Sequence, residues 1–118
     1  MKYRRGDIVK FNVPIVKGSS TQGGYRPWLI VQNNAGNRRS SSTIVVPLTT
    51  SKTHEHMPTH AKVTGKGLIP SIAKCEQVRV VDVRQDWEYV CRVSRKTMKR
   101  VDRALMNAFF YGEDKDGE

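Results

Sequence analysis

Residues 23–34 read GGYRPWLIVQNN. Four consecutive apolar residues, Trp28 to Val31, follow an arginine and a proline, with two glycines just upstream. A short apolar run bounded by Gly and Asn reads as a strand buried on both faces. Arg26 therefore stands where a core strand begins, on a segment with little side-chain bulk. Gly23 and Gly24 permit close approach of a ligand backbone. Pro27 stiffens the segment. The guanidinium keeps its charge, and its planar fork matches a phosphate.

The neighbouring segments follow from this strand. DIVKFNV (7–13) alternates, with Val9, Phe11 and Val13 on one side and Lys10 and Asn12 on the other, and predicts a half-buried strand. Pro14 to Gly24 is a Gly/Ser-rich loop. NAGNRRSSS reads as turn and loop. TIVVPLT (43–49) is a third strand, in which Pro47 suggests an edge position or a bulge. TSKTHEHMP is loop, HAKVT a short strand and GKG a turn. SIAKCEQVRVVDV (71–83) reads as one long strand. In SRKTMKRVDRALMNAFFYG, apolar residues recur at Met98, Val101, Leu105 and Ala108/Phe109, which is helical spacing. Ser94 supplies an N-cap and Gly112 a C-terminal stop. The other helix face carries Arg95, Lys96, Lys99, Arg100 and Arg103, a solvated face or a contact surface for RNA or a partner. Five or more short strands followed by one helix predict a mainly β fold with α: a small, strongly bent barrel with the helix over one opening or side.

The 118 residues suit one domain, 1–112, followed by an acidic tail at 113–118 read as solvating and disordered. Apolar residues make up 37%, which excludes a disordered composition. No apolar run approaches the ~18 residues of a membrane helix, and MKYRRGD leads into no apolar signal segment. The expectation is a cytoplasmic protein without membrane contact. Cys75 and Cys91 form no C-x-x-C and read as free thiols. His54, His56 and His60 cluster without a carboxylate or thiol at motif spacing, so no metal is expected. Charge is the strongest bulk signal, at +10. Residues 1–112 alone hold 20 bases and 7 acids, or +13. A folded domain this basic meets a polyanion, and the absence of an amphipathic membrane-binding helix favours nucleic acid.

Within the expected long strand, alternation puts Lys74 and Glu76 on one face about 7 Å apart. Ile72, Val78 and Val80 would share that face, with Cys75, Gln77 and Arg79 on the other. Charges inside an apolar strand break a local rule, and such breaks concentrate at functional sites; a salt bridge on a solvated face is the plain alternative. Thr49, Thr50 and Ser51 bring hydroxyls to the end of the third strand. Together these residues fit RNA self-cleavage, in which a 2′-OH attacks the adjacent phosphorus. The step needs a base, a donor for the crowded phosphorane and an acid for the departing 5′ oxygen. Glu76, Arg26 with Thr49, and Lys74 are able to supply them without a cofactor.

The chain resembles the MazF/PemK (Kid) toxins, endoribonucleases of type II toxin–antitoxin pairs. The resemblance rests on RRGDIV (4–9), GGYRPWLIVQNN, Gly36-Asn37, STIVVPLT (42–49), MPTH (57–60) and CEQVRVVD (75–82), in family order and spacing. It implies an SH3-like β-barrel with a C-terminal helix, working as a homodimer on single-stranded RNA, chiefly mRNA. Cleavage at a short sequence would leave a 2′,3′-cyclic phosphate and a 5′-OH, with no metal. A cognate antitoxin would block the RNA groove with an acidic, flexible segment.

The resemblance places the catalytic arginine on Arg26 and the strand-end threonine on Thr49. The general base of one branch falls on Glu76, one methylene longer than the family aspartate. The general acid of that branch falls on Lys74, where the family has arginine. RNA contact is expected at Gln22, Gly24, Asn33, Ser51, His60 and Arg79. Thr21 stands where a glutamate is frequent, so recognition is expected to differ. His60 is expected to make a structural hydrogen bond beside the groove, with an RNase-A-like role for the histidines as the alternative. Two other readings compete: a non-catalytic module binding a protein target, as the CcdB gyrase poisons do, and an RNA-binding barrel without catalysis.

Overall fold

A computed structural model describes residues 2–110. The Gly112 stop and the 113–118 tail lie outside the described residues. The elements are β1 (Asp7–Val13), β2 (Gly24–Ile30), α1 (Asn34–Arg39), β3 (Ser42–Thr49), β4 (His60–Gly65), β5 (Leu68–Lys74), a 3-10 turn (Cys75–Gln77), β6 (Arg79–Asp82), β7 (Glu88–Arg92) and α2 (Arg95–Phe110). The strands form a curled antiparallel sheet in the order β4-β5-β3-β2-β1-β7, with β6 also paired to β3. This is the bent, mainly β architecture with a C-terminal helix that the strand pattern predicts.

Alternation along β2 explains how its apolar run is buried on both faces. Leu29 and Val31 point into a core with Ile8, Val46, Leu48, Val63 and Ala73, against Met98, Val101 and Ala104 of α2. Trp28 and Ile30 point the other way, into a second cluster with Tyr3, Val9, Val13, Val45 and Trp87. Rings cover that second face: Phe11 stacks on Trp28 at 5.4 Å and on Trp87 at 4.6 Å. Fully burying each such side chain contributes about 1.5–3 kcal/mol.

The expected strand 71–83 is not continuous. β5 ends at Lys74, the 3-10 turn intervenes, and β6 begins at Arg79. Both strands pair with β3 on one side, β6 along Ser42–Val45 and β5 along Leu48–Thr49. The turn shifts the chain from one pairing to the other, so strand alternation does not carry across it. Cys75 is fully buried, whereas Val80 is 65% exposed. Pro47 falls in the interval between the two pairings, where β3 has no ladder partner on that side. Since β3 is central, of the edge position or bulge expected for Pro47 the edge position is corrected.

Three further differences have local causes. NAGNRRSSS contains α1, capped by Asn33, whose Oδ1 accepts from Gly36 N at 2.8 Å. Asn37 is the buried residue of α1, its Oδ1 accepting from Thr43 Oγ1 and Gln32 Nε2. Residues 88–92, unassigned from sequence, pair with β1 as β7. The buried stripe of α2 is Thr97, Met98, Val101 and Ala104, while Phe109 is exposed. Ser94 caps α2 as expected, its Oγ accepting from Thr97 N at 3.1 Å.

Candidate active site

Arg26 lies in β2 opposite Phe11. Its Nε donates to the Gly23 carbonyl at 2.9 Å and a terminal nitrogen donates to the Leu48 carbonyl at 3.4 Å. The guanidinium is thereby held between the β1–β2 turn and the last residues of β3, beside Thr49. Partial burial lowers its pKa from the ordinary value, yet a guanidinium stays cationic. The two glycines serve this placement. Gly24 has φ +83°, and a Cβ on Gly23 would meet Ile15 Cα at 3.1 Å and the Pro14 oxygen at 3.2 Å. Here the space beside Gly23 is filled by the chain's own loop. The glycines therefore shape the turn whose carbonyl anchors Arg26.

Thr49 closes β3, and its Oγ1 accepts from Ser51 N at 3.2 Å. It lines a small cleft with Gln22, Ser51, Thr53, His54, His60 and Lys74. Lys74 ends β5 directly opposite His60 of β4. The His60 side chain is buried, with Nδ1 at 2.6 Å from the His54 carbonyl and Nε2 at 3.0 Å from Glu76 Oε2. Burial raises the Glu76 pKa, but the hydrogen bond from His60, a backbone hydrogen bond and the charge of His60 outweigh it. The carboxyl ends below its ordinary value.

Glu76 lines an adjoining cleft with Gln22, Gln77, Arg79 and Trp28. Gln22 borders both clefts, and its backbone N–H donates to Gln77 Oε1 at 2.7 Å. That bond ties the β1–β2 loop to the 3-10 turn. Arg79 stands over the Trp28 ring at 5.9 Å, and the buried Trp28 Nε1 has no partner among the described residues.

Thr49, Lys74, Gln22, Ser51 and His60 thus share one cleft. Glu76 and Arg79 line the next, joined to it through His60 and Gln22. Arg26 reaches the end of β3 through Leu48. Asn33 is not with them: its side chain caps α1. Gly24 shapes the turn, and its backbone pairs with Val13. Sequence reasoning missed Gln77 and Thr53, and weighed His54 only within the histidine cluster. Strand alternation had placed Gln77 away from Glu76, and only the 3-10 turn puts the two in one cleft. Among the described residues no three metal-type side chains converge.

Comparison with known proteins follows the same outline. A sequence model of the "PemK-like, MazF-like toxin of type II toxin-antitoxin system" family matches residues 4–109. Endoribonuclease EndoA of Bacillus subtilis (strain 168) is 33% identical over 108 residues, spanning 89% of this chain and 92% of that protein. An endoribonuclease from a mycobacterial species, solved in complex with its cognate antitoxin, is 25% identical, with a TM-score of 0.69 over 90% of this chain and 93% of that one. MazF of Deinococcus radiodurans shares the fold, with a TM-score of 0.73 at 20% identity over 89% of this chain and 94% of that one. The motifs, the fold and this match over nearly the whole described chain agree: the protein belongs to the PemK-like, MazF-like toxin family of type II toxin–antitoxin systems.

Proposed function

We propose that the protein is an endoribonuclease that cuts single-stranded RNA at a short sequence without a metal. The class follows from its family; the roles below are our reading of the cleft. The 2′ oxygen forms a bond to phosphorus as the bond from phosphorus to the 5′ oxygen breaks. Glu76 takes the 2′ proton, and Lys74 gives a proton to the departing 5′ oxygen. Arg26 and Thr49 hold the oxygens of the phosphorane, where charge accumulates. The products are a 2′,3′-cyclic phosphate and a 5′-OH.

The observation that carries this reading is that Thr49 and Lys74 line one cleft with His60, whose ring bonds Glu76 of the adjoining cleft, while Arg26 hydrogen-bonds to the carbonyl of Leu48, one residue before Thr49. Hydrogen bonding keeps Glu76 ionised at neutral pH, as a base requires. Gln22, Ser51, His60 and Arg79 border the two clefts and are assigned to RNA contact.

The same reading gives the protein a cytoplasmic site of action, a cognate antitoxin with an acidic segment, and a homodimeric state. Met106, Phe109 and Phe110 on the last turns of α2 are more than half exposed, apolar side chains suited to contact with a second copy. Light scattering at twice the chain mass supports the dimer, and a monomer at micromolar concentration refutes it. Digestion of a long unstructured RNA and its DNA equivalent in EDTA, with mapping of the ends, tests the activity. RNA-only cuts bearing cyclic phosphate and 5′-OH ends support the mechanism. Cuts with other ends, or no cuts, overturn it.

A further inference from the structure

The basic face of α2 is not used by the clefts described above. Lys96, Lys99 and Arg103 recur at i, i+3 and i+7, so they share one helix face over about 10 Å of axis. All three are exposed. Across a groove of about 510 Å³ they face Lys62 of β4 and the β3–β4 loop at His56, Met57 and Pro58. The walls are fixed by hydrogen bonds. Arg100 donates to the Lys62 carbonyl at 3.3 Å and to Thr97 Oγ1 at 3.2 Å, and Asn107 Nδ2 donates to the Pro58 carbonyl at 2.8 Å. Among the described residues one carboxylate, Glu55, borders the groove, and it lies 3.7 Å from His56. Among the described residues Lys62, Lys96, Lys99 and Arg103 form no salt bridge.

This arrangement works against the helix that carries it. Like charges three and four residues apart repel. The first turn of α2 contains no acid and begins Arg-Lys, so positive charge sits at the positive end of the helix dipole. A local rule broken repeatedly in one direction indicates a ligand of opposite charge. A second copy is a poor occupant, because a two-fold contact through this groove would bring the cations of both copies together. The groove also borders His60, which lines the Thr49–Lys74 cleft.

We propose that this groove is an extended RNA-binding surface that holds phosphates of the strand beyond the cleavage cleft. The inference rests on the ribonuclease reading and adds a second contact region to it. Among the described residues no Phe, Tyr or Trp lines the groove, so its cations rather than a broad stacking platform dominate the contact. It holds the backbone and carries no sequence readout. Its effect is confined to strands long enough to span both regions, and it weakens with salt.

The test measures binding of fluorescein-labelled 2′-O-methyl RNA, which lacks the nucleophile and is not cut. Mixed-sequence probes of about 8 and about 30 nucleotides are compared on wild-type protein and a Lys96→Gln/Lys99→Gln/Arg103→Gln variant. Arg100 is left in place because it holds the groove wall. The expected result is a roughly tenfold loss of affinity for the longer probe. The slope of log K against log salt should fall by about 2, at about 0.7 for each phosphate the three cations no longer neutralise. The short probe should bind unchanged, and Lys96→Arg/Lys99→Arg/Arg103→Lys should retain full affinity. A melting temperature at or above wild type shows that the variant is folded, and the Lys99→Gln/Arg103→Gln pair repeats the measurement if it is not. Unchanged affinity and slope for the long probe overturn the proposal, as does an equal loss for both probes. Weakened binding of an acidic peptide with RNA binding intact assigns the groove to a protein partner and also overturns it. If ordinary RNA is never cut while the length effect persists, the ribonuclease reading falls and the extended surface stands.

Discussion

His60 Nε2 lies 3.0 Å from Glu76 Oε2 while His60 Nδ1 lies 2.6 Å from the carbonyl oxygen of His54. Each ring nitrogen thus has an oxygen partner, so the ring is held from both sides. The His60 side chain is 4% exposed and that of Glu76 is 35% exposed. The imidazole therefore works as a rigid bracket. It joins the β3–β4 loop to the 3-10 turn and sets the direction of the Glu76 carboxylate. This favours a positioning role for His60 over direct proton transfer to RNA.

A pH dependence follows from that bracket. Burial raises the Glu76 pKa, the hydrogen bonds and the charge of His60 together lower it by more, and the net value lies below the ordinary 4.5. A carboxyl depressed in the folded state contributes stability above its unfolded value, and loses it as pH falls through the folded value. Glu76→Gln should therefore flatten the loss of stability below about pH 4.5. Urea midpoints at a series of pH values, wild type against variant, measure this. An acid limb of equal steepness in both would assign it to other carboxyls.

Arg26 leads to a prediction in which activity and stability separate. The Arg26 side chain is only partly buried, and its two hydrogen bonds go to backbone carbonyls of Gly23 and Leu48, so its removal opens no core cavity. Arg26→Ala should leave the melting temperature within a few degrees and lower kcat by about 10²–10³, the usual loss when one transition-state donor is removed. Arg26→Lys should not restore the rate, because an ammonium lacks the planar fork. Full activity in Arg26→Ala would remove this residue from the site.

The order of β1, β2, β3, β4 and α2 was legible because each depends on local signals: alternation in DIVKFNV, the apolar run after Arg26, helical spacing from Met98. The break at Cys75–Gln77 was not. Nothing in SIAKCEQVRVVDV interrupts strand character, and the turn exists because β3 offers two successive partners along one side. That is a property of the whole sheet. The site suffered the same limit. Thr49 was legible as a strand end, whereas Lys74 was placed inside a continuous strand and only the turn makes it one. Grouping Gln77 with Glu76, and seating Asn33 as a helix cap, required the turn and α1 to be seen. α1 itself is six residues long, too short for a periodic pattern to announce it.

Lys74 is assigned the proton for the leaving oxygen, and the leaving group provides the check. A substrate with sulfur at the scissile 5′ position departs without protonation. Lys74→Ala should slow cleavage of ordinary RNA by about 10²–10³-fold, within the usual range for a general acid, and cut the sulfur-substituted RNA at nearly the wild-type rate. Equal slowing on both substrates would mean that Lys74 binds phosphate and does not protonate the leaving group.

The last prediction concerns how the sheet closes. β4 and β7 lie at opposite ends of the strand order, yet Gly65 at the end of β4 meets Cys91 of β7. A Cβ built on Gly65 would lie 2.6 Å from Cys91 Sγ, well inside contact distance. The short Cys91 side chain is buried in the main core beside Val93 and has little room to yield. Gly65→Ala should therefore destabilise the fold by about 1–3 kcal/mol through overpacking. Shortening the partner relieves the clash, so Gly65→Ala/Cys91→Ala should be more stable than the sum of the single variants, with a coupling of about 1–2 kcal/mol. Thermal melts of the four proteins complete the cycle. Additive losses would mean that the two ends of the sheet do not meet at these residues, and that α2 alone holds the barrel closed.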